Sequence, residues 1–132
     1  MDRRKTDKPC VLLVDDYSDA REMYSEYLRF SGFDVVEATN GVEALQRALD
    51  SAPDIILMDL SLPVMDGWEA TRRLKQDTRT ADIPVVALTG HALAGMFEGA
   101  KSAGCDAFVT KPCLPEDLVK QIRSVLNGDH SD

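Results

Sequence analysis

Long apolar runs are missing from this chain of 132 residues, and none approaches the roughly 20 residues that a membrane-spanning helix needs. The start of the chain lacks the charged, apolar and small-residue succession of a secretory signal, so the cytoplasm is the expected compartment. Positive charge is in deficit: 15 Lys and Arg stand against 23 Asp and Glu, a net charge of −8. That balance argues against direct binding to DNA. The one basic cluster, Arg3-Arg4-Lys5, belongs to a polar N-terminal tail and reads as a solvated tail. Cysteine is scarce as well. Cys10, Cys105 and Cys113 are odd in number and lack CxxC spacing, which argues against both a disulfide framework and a zinc site. Aromatic residues make up 6 %, and Trp68 and the tyrosines near the N-terminus are expected to be packing or surface, not a cofactor stack. His91 is isolated, so no metal role is expected of it.

What is present is an alternation of two periodicities. Cys10–Val14 is a short apolar run without polar alternation, as in a strand buried on both faces. Ala20, Met23, Tyr24, Tyr27 and Leu28 then recur at helical spacing, with Ser18 as the expected cap, Asp19 and Glu22 at the positive end and Gly32 at the close. A second strand is expected over Asp34–Ala38. Asn40 and Glu43 follow at capping-box spacing, ahead of a helix with Val42, Leu45 and Leu49 on its apolar face. Ile55–Met58 forms a third strand ending on Asp59, and Asp66 with Glu69 opens a helix to about Lys75. Pro84–Leu88 is the fourth strand, ending on Thr89. A weak helix dotted by Gly95 and Gly99 comes next, then a fifth strand over Ala107–Thr110 ending on Lys111-Pro112. Pro115, Glu116 and Asp117 open a last helix carrying Leu118, Ile122, Val125 and Leu126 on one face. Five strands alternating with five helices imply βαβ units, a parallel sheet and helices on both of its faces. The expected organisation is a tail over residues 1–8, one domain over 9–127 and a short tail over 128–132, with no room for an output domain.

The polar residues fall at strand ends. Asp15-Asp16 follow the first strand, Asp59 ends the third, Thr89 the fourth and Lys111 the fifth. Ligands of an open parallel sheet bind outside these carboxyl ends, where strand order reverses. If the first and third strands are neighbours there, three carboxylates crowd together and repel. A hard divalent cation relieves this. Magnesium takes oxygen ligands, keeps several waters and commonly uses one or two carboxylates. Asp16 and Asp59 are the candidate direct ligands, with Asp15 acting through water. A carboxylate beside a lysine and a metal is also a nucleophile toward phosphorus. Lys111 would offset charge on a transferring phosphoryl group, and Thr89 and the backbone N–H of Gly90 would hydrogen-bond its oxygens.

Val14-Asp15-Asp16, Met58 through Gly67 (MDLSLPVMDG), Leu88-Thr89-Gly90 and Thr110-Lys111-Pro112 together resemble the signature of bacterial response-regulator receiver domains, over roughly residues 9–127. The resemblance implies a flavodoxin-like α/β fold with strand order 2-1-3-4-5. It further implies phosphorylation of Asp59 by a histidine kinase or histidine phosphotransfer domain, and Mg2+ held by Asp15, Asp16, Asp59 and the backbone carbonyl of Ser61. Thr89 and Lys111 would bind the phosphoryl oxygens, the Lys111–Pro112 bond would be cis, and Phe108 would be the aromatic switch that follows Thr89 and alters binding of a downstream protein. Two positions depart from the pattern. Cys113 stands where an aromatic is common, and Gly95 and Gly99 weaken a helix of the usual output face, at about 1 kcal/mol each relative to alanine.

Two other functions fit the same fold less well. Aspartate-nucleophile phosphatases place a second aspartate two residues after the nucleophile, where this chain has Ser61. A flavin-binding relative needs a phosphate-binding loop after the first strand, where Asp15-Asp16-Tyr17 would repel phosphate. The expected chemistry is therefore self-modification by a signalling domain, not turnover of a substrate.

Overall fold

The structure, a computed structural model, describes residues 8–60, 62, 64–90, 101–111 and 113–128. Five strands, β1 (Cys10–Val14), β2 (Asp34–Ala38), β3 (Ile55–Asp59), β4 (Val85–Thr89) and β5 (Ala107–Thr110), form one parallel sheet in the order β2-β1-β3-β4-β5. Among the described residues four helices are complete: α1 (Ser18–Phe30), α2 (Gly41–Ser51), α3 (Gly67–Gln76) and α4 (Pro115–Leu126). The glycine-dotted helix expected around Gly95 and Gly99 lies outside the described residues, while residues 101–103 are helical.

The central strands are buried at every position because both faces of the sheet are covered. Successive side chains alternate between two cores. Leu12, Val14, Ile56, Met58, Val85 and Ala87 meet α2 and α3 on one face. Val11, Leu13, Ile55, Leu57, Val86 and Leu88 meet α1 and α4 on the other. Each of the Val, Leu, Ile and Met side chains among them contributes about 1.5–3 kcal/mol on burial. A one-residue slip would exchange the two sets, so this alternation fixes the register, with Val14 beside Met58 and Asp59 beside Leu88.

Two helix faces differ from the periodicity reading. On α1 the buried residues are Tyr24, Ser25 and Leu28, whereas Met23 and Tyr27 are exposed. On α2, Ala44 and Ala48 face the core, Leu45 and Leu49 lie along its flank, and Val42 is exposed. Small residues allow α2 to approach the sheet closely, and the larger aliphatics turn toward α3. Caps differ too. Tyr17, not Ser18, is the N-cap of α1 and provides no side-chain bond. Asn40 caps α2 as expected, accepting from the Glu43 N–H at 2.9 Å. The Glu43 carboxylate reaches one residue further back than a capping box requires, to the N–H and hydroxyl of Thr39. Asp66 caps α3 through the Glu69 N–H, and Pro115 opens α4.

Candidate functional site

The chain runs outward from β1 to β2 and then crosses back to β3, so strand order reverses between β1 and β3. Asp15 and Asp16 leave the end of β1 at that point, and Asp59 closes β3 beside them. Asp15 is held firmly: its N–H donates to the Ala38 carbonyl at 3.1 Å, and its own side chain is fully buried. Asp16 is exposed, and Asp59 is almost fully buried. One carboxylate oxygen from each of the three lies within 4.8 Å of the others.

At that spacing two ionised carboxylates repel by about 3–4 kcal/mol at an effective dielectric of about 20. Lys111 offsets part of this. Its Nζ donates to Asp15 Oδ2 at 2.7 Å and reaches Asp59 Oδ2 at 3.4 Å. Burial works against the lysine charge, but the Asp15 hydrogen bond and the charges of Asp59 and Asp15 outweigh it and hold the ammonium above its ordinary value. Three carboxylates against one ammonium leave an excess of two negative charges, which matches a divalent cation with oxygen ligands.

The backbone around these groups is anchored in several directions. Lys111 donates its N–H to the Thr89 carbonyl at 2.7 Å, so the ends of β4 and β5 stay paired beyond Thr89 and Thr110. Thr89 is buried, one position past the residue paired with Asp59, and Gly90 follows it, where an added Cβ would meet nothing within 4 Å among the described residues. Phe108 is half-buried against the core beneath α2 and α3. Ser61, His91 and Pro112 lie outside the described residues, and with them the expected carbonyl ligand and the cis bond.

Four supporting residues were not singled out for the site from the sequence. Arg21 of α1 donates from Nη1 to the Asp15 carbonyl at 2.8 Å, and its Nε pairs with Glu37 of β2. Tyr24, one helical turn on, donates its hydroxyl to the Cys113 carbonyl at 2.8 Å. Burial pushes its phenol above the ordinary range. Gly67 packs so closely beneath the end of β3 that a Cβ would run into the Asp59 carbonyl oxygen, and would lie 2.8 Å from Leu60 Cα. Gly41 makes the same kind of approach to Met65, whose carbonyl accepts its N–H at 3.0 Å. The two arginine and tyrosine contacts join residues far apart in the chain or backbone atoms of any side-chain type, so periodicity carries no trace of them.

A doubly wound parallel sheet with an acidic pocket and a lysine at its switch point defines the class of phosphate-handling α/β domains that work at strand ends. Within that class, residues 11–123 match the family model of the response regulator receiver domain, and the chain belongs to that family. It is a receiver domain of two-component and phosphorelay signalling. The polar-differentiation response regulator DivK of Brucella anthropi is 36 % identical over 119 residues, 90 % of this chain and 96 % of its own. Chemotaxis protein CheY4 of Vibrio cholerae superposes with a TM-score of 0.85 at 31 % identity, covering 89 % of this chain and 98 % of its own. The receiver domain of sensor histidine kinase PA1611 of Pseudomonas aeruginosa, solved with a magnesium ion coordinated in its active-site cleft, gives 0.85 at 31 % identity over 91 % and 98 %.

Proposed function

We propose that Asp59 accepts a phosphoryl group from a phosphohistidine on a histidine kinase or histidine phosphotransfer domain and that the modified domain changes its binding to a downstream protein. The observation that carries this reading is the position of Asp59: a nearly buried carboxylate within 4.8 Å of two others, with the Lys111 ammonium 3.4 Å away. A carboxylate oxygen of Asp59 attacks phosphorus in line with the histidine nitrogen, the P–N bond breaks, and the imidazole leaves with its electron pair. Lys111 offsets charge gathering on the equatorial oxygens, and Thr89 and the Gly90 N–H donate to them. Asp16 and Asp59 would hold Mg2+ directly, Asp15 through water, and the Ser61 carbonyl as a further ligand. When bound, the ion supplies charge neutralisation at the oxygens of the transferring group.

After transfer, the Thr89 hydroxyl is drawn to a charged phosphoryl oxygen that is present only in the modified state, a bond worth about 1.5–3 kcal/mol. That difference shifts the balance between two arrangements of Phe108 and the neighbouring surface. The chemistry is confined to gaining and losing this group, the receiver spans residues 9–127, and the working compartment is the cytoplasm. Magnesium with phosphoramidate or acetyl phosphate is expected to add one acid-labile, hydroxylamine-sensitive phosphoryl group, and Asp59→Asn to abolish it, as read by intact mass. Undiminished labelling of that variant would place the acceptor elsewhere.

A further inference from the structure

Lys111 sits on a loop held from two directions. On one side its own N–H is bonded to the Thr89 carbonyl of β4 at 2.7 Å. On the other, two residues along the chain, the Cys113 carbonyl accepts the Tyr24 hydroxyl at 2.8 Å. Tyr24 is 5 % exposed and packs in the core between the sheet, α1 and α4, beside Leu28 and Leu118. A phenylalanine would fill that space as well, so the hydroxyl is accounted for by its partner, not by packing.

We propose that Tyr24 is a positioning residue for Lys111: from α1 it fixes the loop that sets the lysine between Asp15 and Asp59. The proposal rests on Asp59 being the acceptor and Lys111 its phosphoryl-binding partner. The lysine divides itself unevenly, 2.7 Å from Asp15 and 3.4 Å from Asp59, so a small displacement of its backbone changes which carboxylate it serves. Arg21, three residues before Tyr24 and so on a neighbouring position of the same helix, holds the Asp15 carbonyl at 2.8 Å. One helix therefore braces both the lysine loop and the backbone of Asp15, whose carboxylate the lysine contacts. Without the hydroxyl, the Cys113 carbonyl must find water, and the loop shifts to do so.

The test uses the full chain at saturating magnesium, with phosphoramidate as donor. Misplacing a group by about 1 Å can cost up to about a hundredfold in rate, and a smaller shift is expected to cost about three- to tenfold. Tyr24→Phe is therefore expected to slow phosphorylation about three- to tenfold while magnesium affinity, measured by calorimetry, stays within about twofold. That split separates positioning from general loosening, because the metal-binding carboxylates are not on the loop. Val125→Ala, which removes packing from the same core without touching the loop's hydrogen bond, is the control and is expected to keep the native rate. A Tyr24→Phe rate indistinguishable from native would overturn the proposal. So would equal slowing of Tyr24→Phe and Val125→Ala, or magnesium affinity falling in step with rate. Asp59→Asn, run in parallel, is expected to remain unlabelled. Labelling that survives it overturns the acceptor assignment and this proposal together, whereas a native rate for Tyr24→Phe beside an unlabelled Asp59→Asn overturns this proposal alone.

Discussion

Adjacent aspartates at the end of β1 have opposite surroundings. Asp15 is fully buried, and both of its carboxylate oxygens already have partners: Oδ2 takes the Lys111 ammonium and Oδ1 the Tyr17 N–H at 3.0 Å. Asp16 is exposed and opens toward solvent, where an ion that keeps several waters can approach. Asp66 is also acidic and lies seven residues after Asp59, but its carboxylate accepts the Glu69 N–H as the cap of α3. Asp16→Ala is thus expected to weaken magnesium binding about tenfold or more, since even the partners behind metal ligands commonly cost that much. Asp66→Ala should leave affinity nearly unchanged and cost about 1 kcal/mol of stability as a lost cap. Calorimetric titration of both variants separates the roles, and equal losses of affinity would contradict them. At this scale the sequence was informative about chemistry and silent about support. Asp15, Asp59, Thr89 and Lys111 each announced themselves as polar residues ending apolar runs. Arg21 and Tyr24 act on backbone carbonyls, which every residue possesses, so nothing in residue type marked their targets.

Among the elements, the connection from β3 to α3 matters most for the site, because close backbone approaches add there to the packing of Leu60, Leu62 and Met65 in the core. Gly67 lies against the carbonyl of Asp59, and Gly41 of α2 lies against Met65. Gly67→Ala is expected to destabilise the domain by about 1–3 kcal/mol, the usual cost of forcing atoms into filled space. Because the displaced backbone is that of Asp59 itself, the same substitution should lower magnesium affinity, whereas Gly90→Ala, whose added Cβ meets nothing within 4 Å among the described residues, should do neither. Urea denaturation and metal titration of the two variants check this, and a native-like Gly67→Ala would contradict it. Element type and order were legible throughout the described chain, since buried parallel strands are short continuous apolar runs and their helices carry periodic faces. The orientation of α1 and α2 was less so. Tyr24 and Leu28 were placed correctly, but Met23 and Tyr27 are exposed while Ser25 is buried. An apolar count favours large residues, whereas close helix-to-sheet packing favours small ones such as Ala44 and Ala48.

Across the whole molecule, burial makes alkaline conditions unfavourable. The Cys105 thiol lies in the core beside the Thr71 hydroxyl, and burial pushes it up to about 11 from an ordinary 9.0. Because the folded value is the higher one, the unfolded chain releases this proton first. Stability is unaffected below about pH 9 and falls as pH rises from there through about 11, by about 2–3 kcal/mol from this group. Cys105→Ala should flatten that part of a urea-midpoint profile against pH, and an unchanged slope would contradict the assignment. The sheet order β2-β1-β3-β4-β5 brings Lys111 onto Asp15, 96 residues away. Spacing alone left that neighbourhood conditional on strand order, which resemblance to the receiver family supplied and the topology bears out. The proposed signalling step turns on one atom group, the Asp59 carboxylate, becoming an acyl phosphate. Borohydride reduces an acyl phosphate on aspartate to homoserine, so the phosphorylated protein, reduced and digested, can be read by peptide mass spectrometry. Homoserine at position 59, absent when magnesium or the phosphoryl donor is withheld, is the result expected. Reduction at another aspartate with residue 59 left intact would contradict the account.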